Sequence, residues 1–348
     1  MKKKRTTIKD LARRLDISVS TVSRALRDAP DINPATRQEV LDLAQKLNYK
    51  RSTLATSLVS KRTFNIGVIV PELSVPFFGH VIAGIQETLL SKGYQMMICQ
   101  SSEKIEQEQK SIELLMDHHV DGILISPTVE TNHLEHIKML KEEEVPVVLF
   151  DRTLPEANGI FSSVTVDDEE GAFNATTHLI HEGYQRIAHI SGPKHLQITQ
   201  QRLKGYKEAL RLHNLPYVED WVVHGDMHSN IGRITQQLLA LPTPPDAIFA
   251  INDPVAFQVL HTLLSMKIDV PKEIGVVGYT GSDMAKLYHP TLSTVRQPAQ
   301  SIGKEAALLL LEEIDSLWDR RVEKQPFVYR NRVLPTELVV GQSSRRNF

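Results

Sequence analysis

The sequence predicts a multidomain chain: a small all-α head, a short linker, and an α/β body of two doubly wound parallel-sheet subdomains. Three observations carry that prediction. Residues 1–62 hold fifteen Lys/Arg against six Asp/Glu, and the remainder holds twenty-five against thirty-six. A chain of net charge −2 thus divides into a basic head and an acidic body. Within the head, apolar residues recur at helical spacing in three short runs. From residue 64 onward, apolar strand-like runs alternate with helical stretches, the pattern of parallel sheets covered on both faces. A length of 348 residues is ample for such domains.

Composition removes several classes. The lone cysteine, Cys99, rules out a disulfide framework and any multi-Cys zinc or iron–sulfur site; it is expected as a buried structural thiol in a reducing compartment. No apolar run approaches the roughly 20 residues of a membrane helix. The opening MKKKRTT turns amphipathic without the apolar core of a secretory signal. The expectation is a soluble, cytoplasmic protein with no membrane partner.

In the head, Ile8, Leu11, Ala12 and Leu15 form one stripe of a first helix, with Thr7 as N-cap and Asp10 three residues on. The stretch Asp16-Ile17-Ser18 interrupts it, and Ser18 caps a second helix. That helix carries Val22, Ala25 and Leu26 on one side and Val19, Ser20, Ser23 and Arg24 largely on the other. Asn33-Pro34 starts a third, with Val40, Leu43, Ala44 and Leu47 inward. Three short helices with a basic surface read as a helix-turn-helix DNA-binding module over residues 1–50. Its second helix would enter the major groove, where the fork of Arg24 matches O6 and N7 of guanine. Ser20, Thr21 and Ser23 suit phosphates and either-base contacts. Thr7, Val19, Asn33 and Thr36 complete the expected DNA-facing set.

The run TIKDLARRLDISVSTVSRAL, followed by NPATRQEVLDLAQKLNY, resembles the N-terminal signature of the LacI/GalR family of bacterial transcription regulators. The match is nearly gap-free over residues 6–62 and continues more loosely to about residue 340. Leu54, Ala55, Leu58 and Val59 sit at helical spacing within residues 51–62. The resemblance implies that this segment is a hinge helix ordering in a dimer on DNA. Leu58 would be the wedge between central base pairs, with Ala55 also facing DNA. Arg51 stands where many members have Pro, and Thr56 where many have Arg or Gln.

In the body, the runs IGVIV, MMIC, GILIS and VPVVLF are followed after residue 160 by SSVTV, RIAHIS, DAIFAI and IGVVGY. The resemblance implies a periplasmic-binding-protein-like architecture, with an N-subdomain of residues 63–161 and 293–324 and a C-subdomain of 162–292 and 325–345. In open parallel sheets a ligand sits beyond the carboxyl ends of the strands, and two facing sheets make a cleft that closes by hinge motion. Phe77, Phe78, Asp151, Met227, Asn252 and Thr280 follow strand ends and are the expected effector-binding residues. Arg202, in QRLKGY, matches a family arginine that holds the effector. Aromatic faces with one arginine and one carboxylate suit a small polyol such as a sugar, or a nucleobase. Sugar-reading members and purine repressors usually carry Asp or another polar acceptor in this motif, whereas Gly278-Tyr279-Thr280-Gly281 has no carboxylate, and Leu196 stands where purine repressors place a second arginine. The chain ends SSRRNF without the apolar heptads of a tetramerising tail. A homodimer on a palindromic operator follows.

The expectation is a transcription regulator, most simply a repressor, switched by a sugar or sugar phosphate. An α/β enzyme with a basic extension is the alternative. The sequence contains no phosphate-loop, dinucleotide-binding or nucleophile-elbow motif. His178/His181 and His133/His136 are expected as exposed helical histidines rather than metal ligands. No catalytic residue, metal or cofactor is expected.

Overall fold

The computed structural model describes residues 6–26, 29, 31–47, 49, 62–226, 228–323 and 328–346, with the backbone alone at 318–323. Residues 51–61, including Ala55 and Leu58 of the expected hinge, and Met227 of the expected effector set lie outside the described residues. The chain divides into two compact units, residues 1–64 and 65–348.

The head contains α1 (Ile8–Leu15), α2 (Val19–Ala25) and α3 (Pro34–Lys46). Each begins on the capping residue its sequence supplies. Thr7 Oγ1 accepts from the Asp10 amide at 3.3 Å, and the Asp10 carboxylate accepts from the Thr7 amide at 2.9 Å, a complete capping box. Ser18 Oγ accepts from the Thr21 amide at 3.0 Å, and Asn33 Oδ1 from the Ala35 amide at 2.9 Å. Such caps contribute about 1 kcal/mol each. Asp16 ends α1 in the left-handed region, φ 52°. Leu11, Ala12, Val22, Ala25, Val40 and Ala44 form the buried core where the three helices meet.

The body holds two six-stranded sheets. The first, in spatial order, is β11 (Asn331–Leu334), β5 (Ser162–Val166), β4 (Val147–Phe150), β3 (Gly122–Ile125), β1 (Asn65–Val70) and β2 (Gln95–Gln100), all parallel. The second is β12 (Glu337–Val339), β10 (Ser293–Arg296), β9 (Gly275–Thr280), β8 (Ala247–Ala250), β6 (Ile187–Ser191) and β7 (Val222–His224). Only β12 runs antiparallel there. The inner strands are apolar and buried on both faces, as crossover helices require.

The subdomain boundaries expected at 162, 293 and 325 are corrected by this topology. β5 pairs with β4 and belongs to the first sheet; β10 pairs with β9 in the second before the chain crosses back; β11 joins the first sheet at its edge and β12 the second. A strand's own residues specify that it is a strand, whereas its sheet is chosen by partners far along the chain. The chain therefore crosses between subdomains three times, near residues 167, 297 and 335.

The first sheet is covered by α4 (Pro76–Ser91), α5 (Ile105–Asp117), α6 (Glu135–Glu142) and α11 (Ala299–Glu323). The second is covered by α7 (Asp168–His181), α8 (Gln197–Leu212), α9 (Ile231–Leu239) and α10 (Asp253–Ser265). The return of α11 to the first subdomain depends on two glycines: a Cβ at Gly84 would lie 2.1 Å from the Gln300 carbonyl oxygen, and one at Gly303 2.0 Å from that of Val81. Cys99 lies on the edge strand β2, so it is half-buried rather than buried, and partial burial raises its thiol pKa. No helix among the described residues is long and apolar enough to cross a membrane.

Candidate functional site

On the head, burial sorts α2 into two faces. Val22 and Ala25 are buried, while Val19, Ser20 and Arg24 are exposed and Thr21 and Ser23 half-buried. Ser18 Oγ also contacts Ser20 Oγ at 2.6 Å and Thr21 Oγ1 at 2.8 Å, so the hydroxyls form one polar cluster at the start of α2. Arg24 is paired with Asp31, and both side chains are exposed. Thr7 and Asn33 use their side chains as caps and are exposed; Thr36 is half-buried.

In the body, the two sheets present the carboxyl ends of their strands to one cleft. Asp151 follows β4 with φ 62°, and Ser126 Oγ, just after β3, approaches its carboxylate at 3.4 Å. Burial pushes Asp151 up to about 6, and the neighbouring Asp168 charge adds to the rise. Beside it, Arg152 grips Glu103 with both arms, at 2.8 and 2.9 Å, and Glu103 also accepts from the Val129 amide at 2.7 Å. One turn into α5, the fully buried Glu108 accepts from the Thr128 amide, Thr131 Oγ1 and His136 Nε2 at 2.7, 2.8 and 2.7 Å. Two carboxylates therefore hold the loop after β3.

The opposite wall is organised around Arg202. Its Nε donates to Asp168 at 2.7 Å, its Nη1 donates to the Ile251 carbonyl at 2.6 Å, and its guanidinium lies 3.7 Å from the centre of the Tyr279 ring. Asp168 begins α7 just after the first crossover, so its bond to Arg202 links this wall to the segment that joins the two sheets. Burial raises the Asp168 pKa, and the Arg202 charge opposes that rise. Asp253 is likewise buried and pushed up to about 6, while accepting from Thr294 Oγ1 and the Ser282 amide, both at 2.6 Å. His189, stacked between Tyr206 and Phe249, is lowered to about 4 by burial and is neutral.

Among the described residues, two hydrogen-bond contacts span the cleft. His80 Nε2 lies 3.2 Å from the Asp283 carboxylate, and His195 Nε2 lies 2.5 Å from the Val129 carbonyl oxygen. Near the first is a cavity of about 250 Å³ lined by Phe77, Thr280, Arg296 and Gln297. Near the second is one of about 120 Å³ lined by Thr128, Thr131, Asn132, Arg152, Leu196 and Gln197.

Of the residues singled out in the sequence, Phe77 and Thr280 line the larger cavity, whereas Asp151, just after β4, and Arg202, buried on α8 with its Nη1 on the carbonyl just after β8, line neither of these two cavities. Phe78 is buried edge-on against Phe77 at 5.2 Å. Asn252 Oδ1 caps α10 by accepting from the Val255 amide at 3.0 Å. The sequence reading missed Glu103, Glu108, Arg152, Asp168 and Tyr279, whose roles come from partners distant along the chain. His136 and His178 are corrected from exposed to internal: the first is buried on Glu108, and the second is half-buried with Ser344 Oγ at 2.7 Å. His133 is exposed but precedes α6, and His181 is exposed on α7. Among the described residues no group of three His, Cys, Asp or Glu side chains is placed to hold a metal.

Residues 7–52 match the bacterial regulatory proteins of the lacI family, and residues 63–331 match the periplasmic binding proteins and sugar binding domain of LacI family. The chain is 31% identical to the ribose operon repressor of Halalkalibacterium halodurans, over 98% of this chain and 97% of that one. It is similar to a transcriptional regulator CelR–cellobiose complex, at 29% identity and TM-score 0.72, covering 97% and 100% of the two chains. Its fold is that of a lac repressor dimer bound to operator and an anti-inducer, at TM-score 0.83 and 23% identity over 98% and 99% of the chains. Matches to both the head and the body, in one chain and in the same order, leave a single assignment: this protein belongs to the LacI family of bacterial transcription regulators.

Proposed function

We propose that the protein is a homodimeric, sugar-switched repressor that works in the cytoplasm on nucleoid DNA. Each head lays α2 in the major groove of a half-site. Arg24, released from Asp31, reads guanine, while Val19, Ser20, Thr21 and Ser23 contact neighbouring bases and phosphates, with Thr7, Asn33 and Thr36 on the backbone. Residues 51–62 form the hinge, with Ala55 and Leu58 at the minor groove. In the body, Phe77, Asp151, Arg202, Asn252 and Thr280 hold the effector, with Phe78 packed behind Phe77 and Met227 completing the set. Arg202 carries the consequence of occupancy to the crossovers through Asp168. An effector shifts closure only through its differential affinity for the two states.

The observation that carries this reading is the cleft itself. Its two walls belong to sheets joined by three crossovers, and they touch through His80–Asp283 and His195–Val129, contacts that a change in closure breaks or makes. Its test is selection of bound duplexes from a random pool by the full chain at stated salt. A palindrome with a flexible central step is expected. Enrichment of no sequence, with and without sugars present, would contradict it.

A further inference from the structure

Resting on the reading of the cleft as an effector site, we infer that the effector is an uncharged polyol and that phosphorylated sugars are excluded. The cationic groups of the cleft are largely committed already. The guanidinium of Arg202 is spent on Asp168, the Ile251 carbonyl and the Tyr279 ring. Nη1 and Nη2 of Arg152 are held bidentately by Glu103, with a further bond from Nη1 to the Pro127 carbonyl at 3.3 Å, and its Nε is the donor left unpaired. Of the other basic side chains lining the two cavities, His80 faces Asp283, His195 meets the Val129 carbonyl, and Arg296 lies 3.5 Å from Glu337. A phosphate reaching for Arg152 or Arg202 would have to displace a carboxylate from an internal pair, which is unfavourable, and Arg296 offers only an exposed guanidinium already near Glu337.

The group between the walls that lacks a directly bonded cation is an anion. Asp151 accepts from the Ser126 hydroxyl, and burial raises its pKa even though the Arg152 and Arg202 charges oppose the rise, so its surroundings disfavour negative charge. A second negative charge beside it compounds that cost. Hydroxyl groups answer the same environment well, because they donate to the carboxylate and bring no charge of their own. The opposite wall supplies neutral counterparts. Ser191 Oγ, at the end of β6, and Gln197 Oε1 and Thr199 Oγ1, in the first turn of α8, are buried without a hydrogen-bond partner among the described residues. The Nε of Arg152 is in the same condition. Buried polar atoms of this kind are satisfied when a ligand brings hydroxyl oxygens.

The test is calorimetric titration of the full chain at pH 7.5 with D-ribose, D-glucose, D-xylose and cellobiose, and with ribose 5-phosphate and glucose 6-phosphate. At least one uncharged sugar is expected to bind, with its phosphate ester weaker by more than about tenfold. Glu103→Gln frees the fork of Arg152, so this variant is expected to narrow that ratio at least about fivefold while retaining a cooperative unfolding transition. A phosphate ester binding as tightly as its parent sugar, or tighter, would overturn the inference and leave the sugar-switched reading intact. Binding by neither series, with no change in DNA affinity, would overturn the sugar reading and this inference with it.

Discussion

The two walls of the cleft are built on different plans. On the first, Glu103 and Glu108 come from one short stretch at the start of α5 and hold a loop of their own subdomain, so that wall is braced against itself. On the second, Arg202 reaches Asp168 beside a crossover and stacks on Tyr279, so that wall is tied to the hinge. The difference assigns the walls different work. In the proposed function the braced wall keeps a fixed array of loop groups toward the effector, and the second wall converts occupancy into a change of closure.

The largest expected effect tests the hinge-tied wall. Arg202→Ala leaves Asp168 buried without its partner and should cost about 3–5 kcal/mol in urea unfolding. A loss under about 1 kcal/mol would show that the second wall does not depend on this pair. Next is the braced wall. Glu108→Ala strands the Thr128 amide, Thr131 Oγ1 and His136 and should cost about 2–4 kcal/mol. Glu108→Gln, which keeps acceptor oxygen but not charge, should cost less; equal losses would deny the carboxylate its role.

A third test uses pH. Asp151 titrates at about 6 in the folded chain against an ordinary 3.8, so the folded state binds more protons between those values. Stability present below about 4 is therefore lost as the pH rises through 6. Asp151→Asn removes that loss, and its unfolding midpoint should gain on the wild type between pH 4 and 7. A constant difference would place the carboxyl in open water. The smallest effect belongs to the exposed bridge between the walls. His80→Gln should change stability by less than about 1 kcal/mol, and a larger loss would make that contact a structural bond rather than a latch.

The same contrast decides what was legible in the sequence. Thr7, Ser18 and Asn33 cap helices through atoms two or three residues away, so the head could be read almost completely from local spacing. The strands and helices of the body were legible because apolar runs and helical periodicity are also local signals. Arg202 stood out by its motif, but its partners lie 34 and 49 residues away, and Arg152 finds Glu103 at a separation of 49. The sheet that β5 joins is hidden from the sequence for the same reason, since SSVTV says strand and says nothing of β4. Asn252 showed its polarity in the sequence, and only the folded chain shows its oxygen committed to the start of α10.

The most direct test of the account is the affinity of the full chain for its selected duplex, at one fixed salt concentration, measured with and without each uncharged sugar. The account predicts that one sugar changes that affinity by tenfold or more, the size of an ordinary allosteric coupling, and that Arg202→Ala abolishes the change. An affinity that no sugar alters, in a protein shown by calorimetry to bind one, would contradict it.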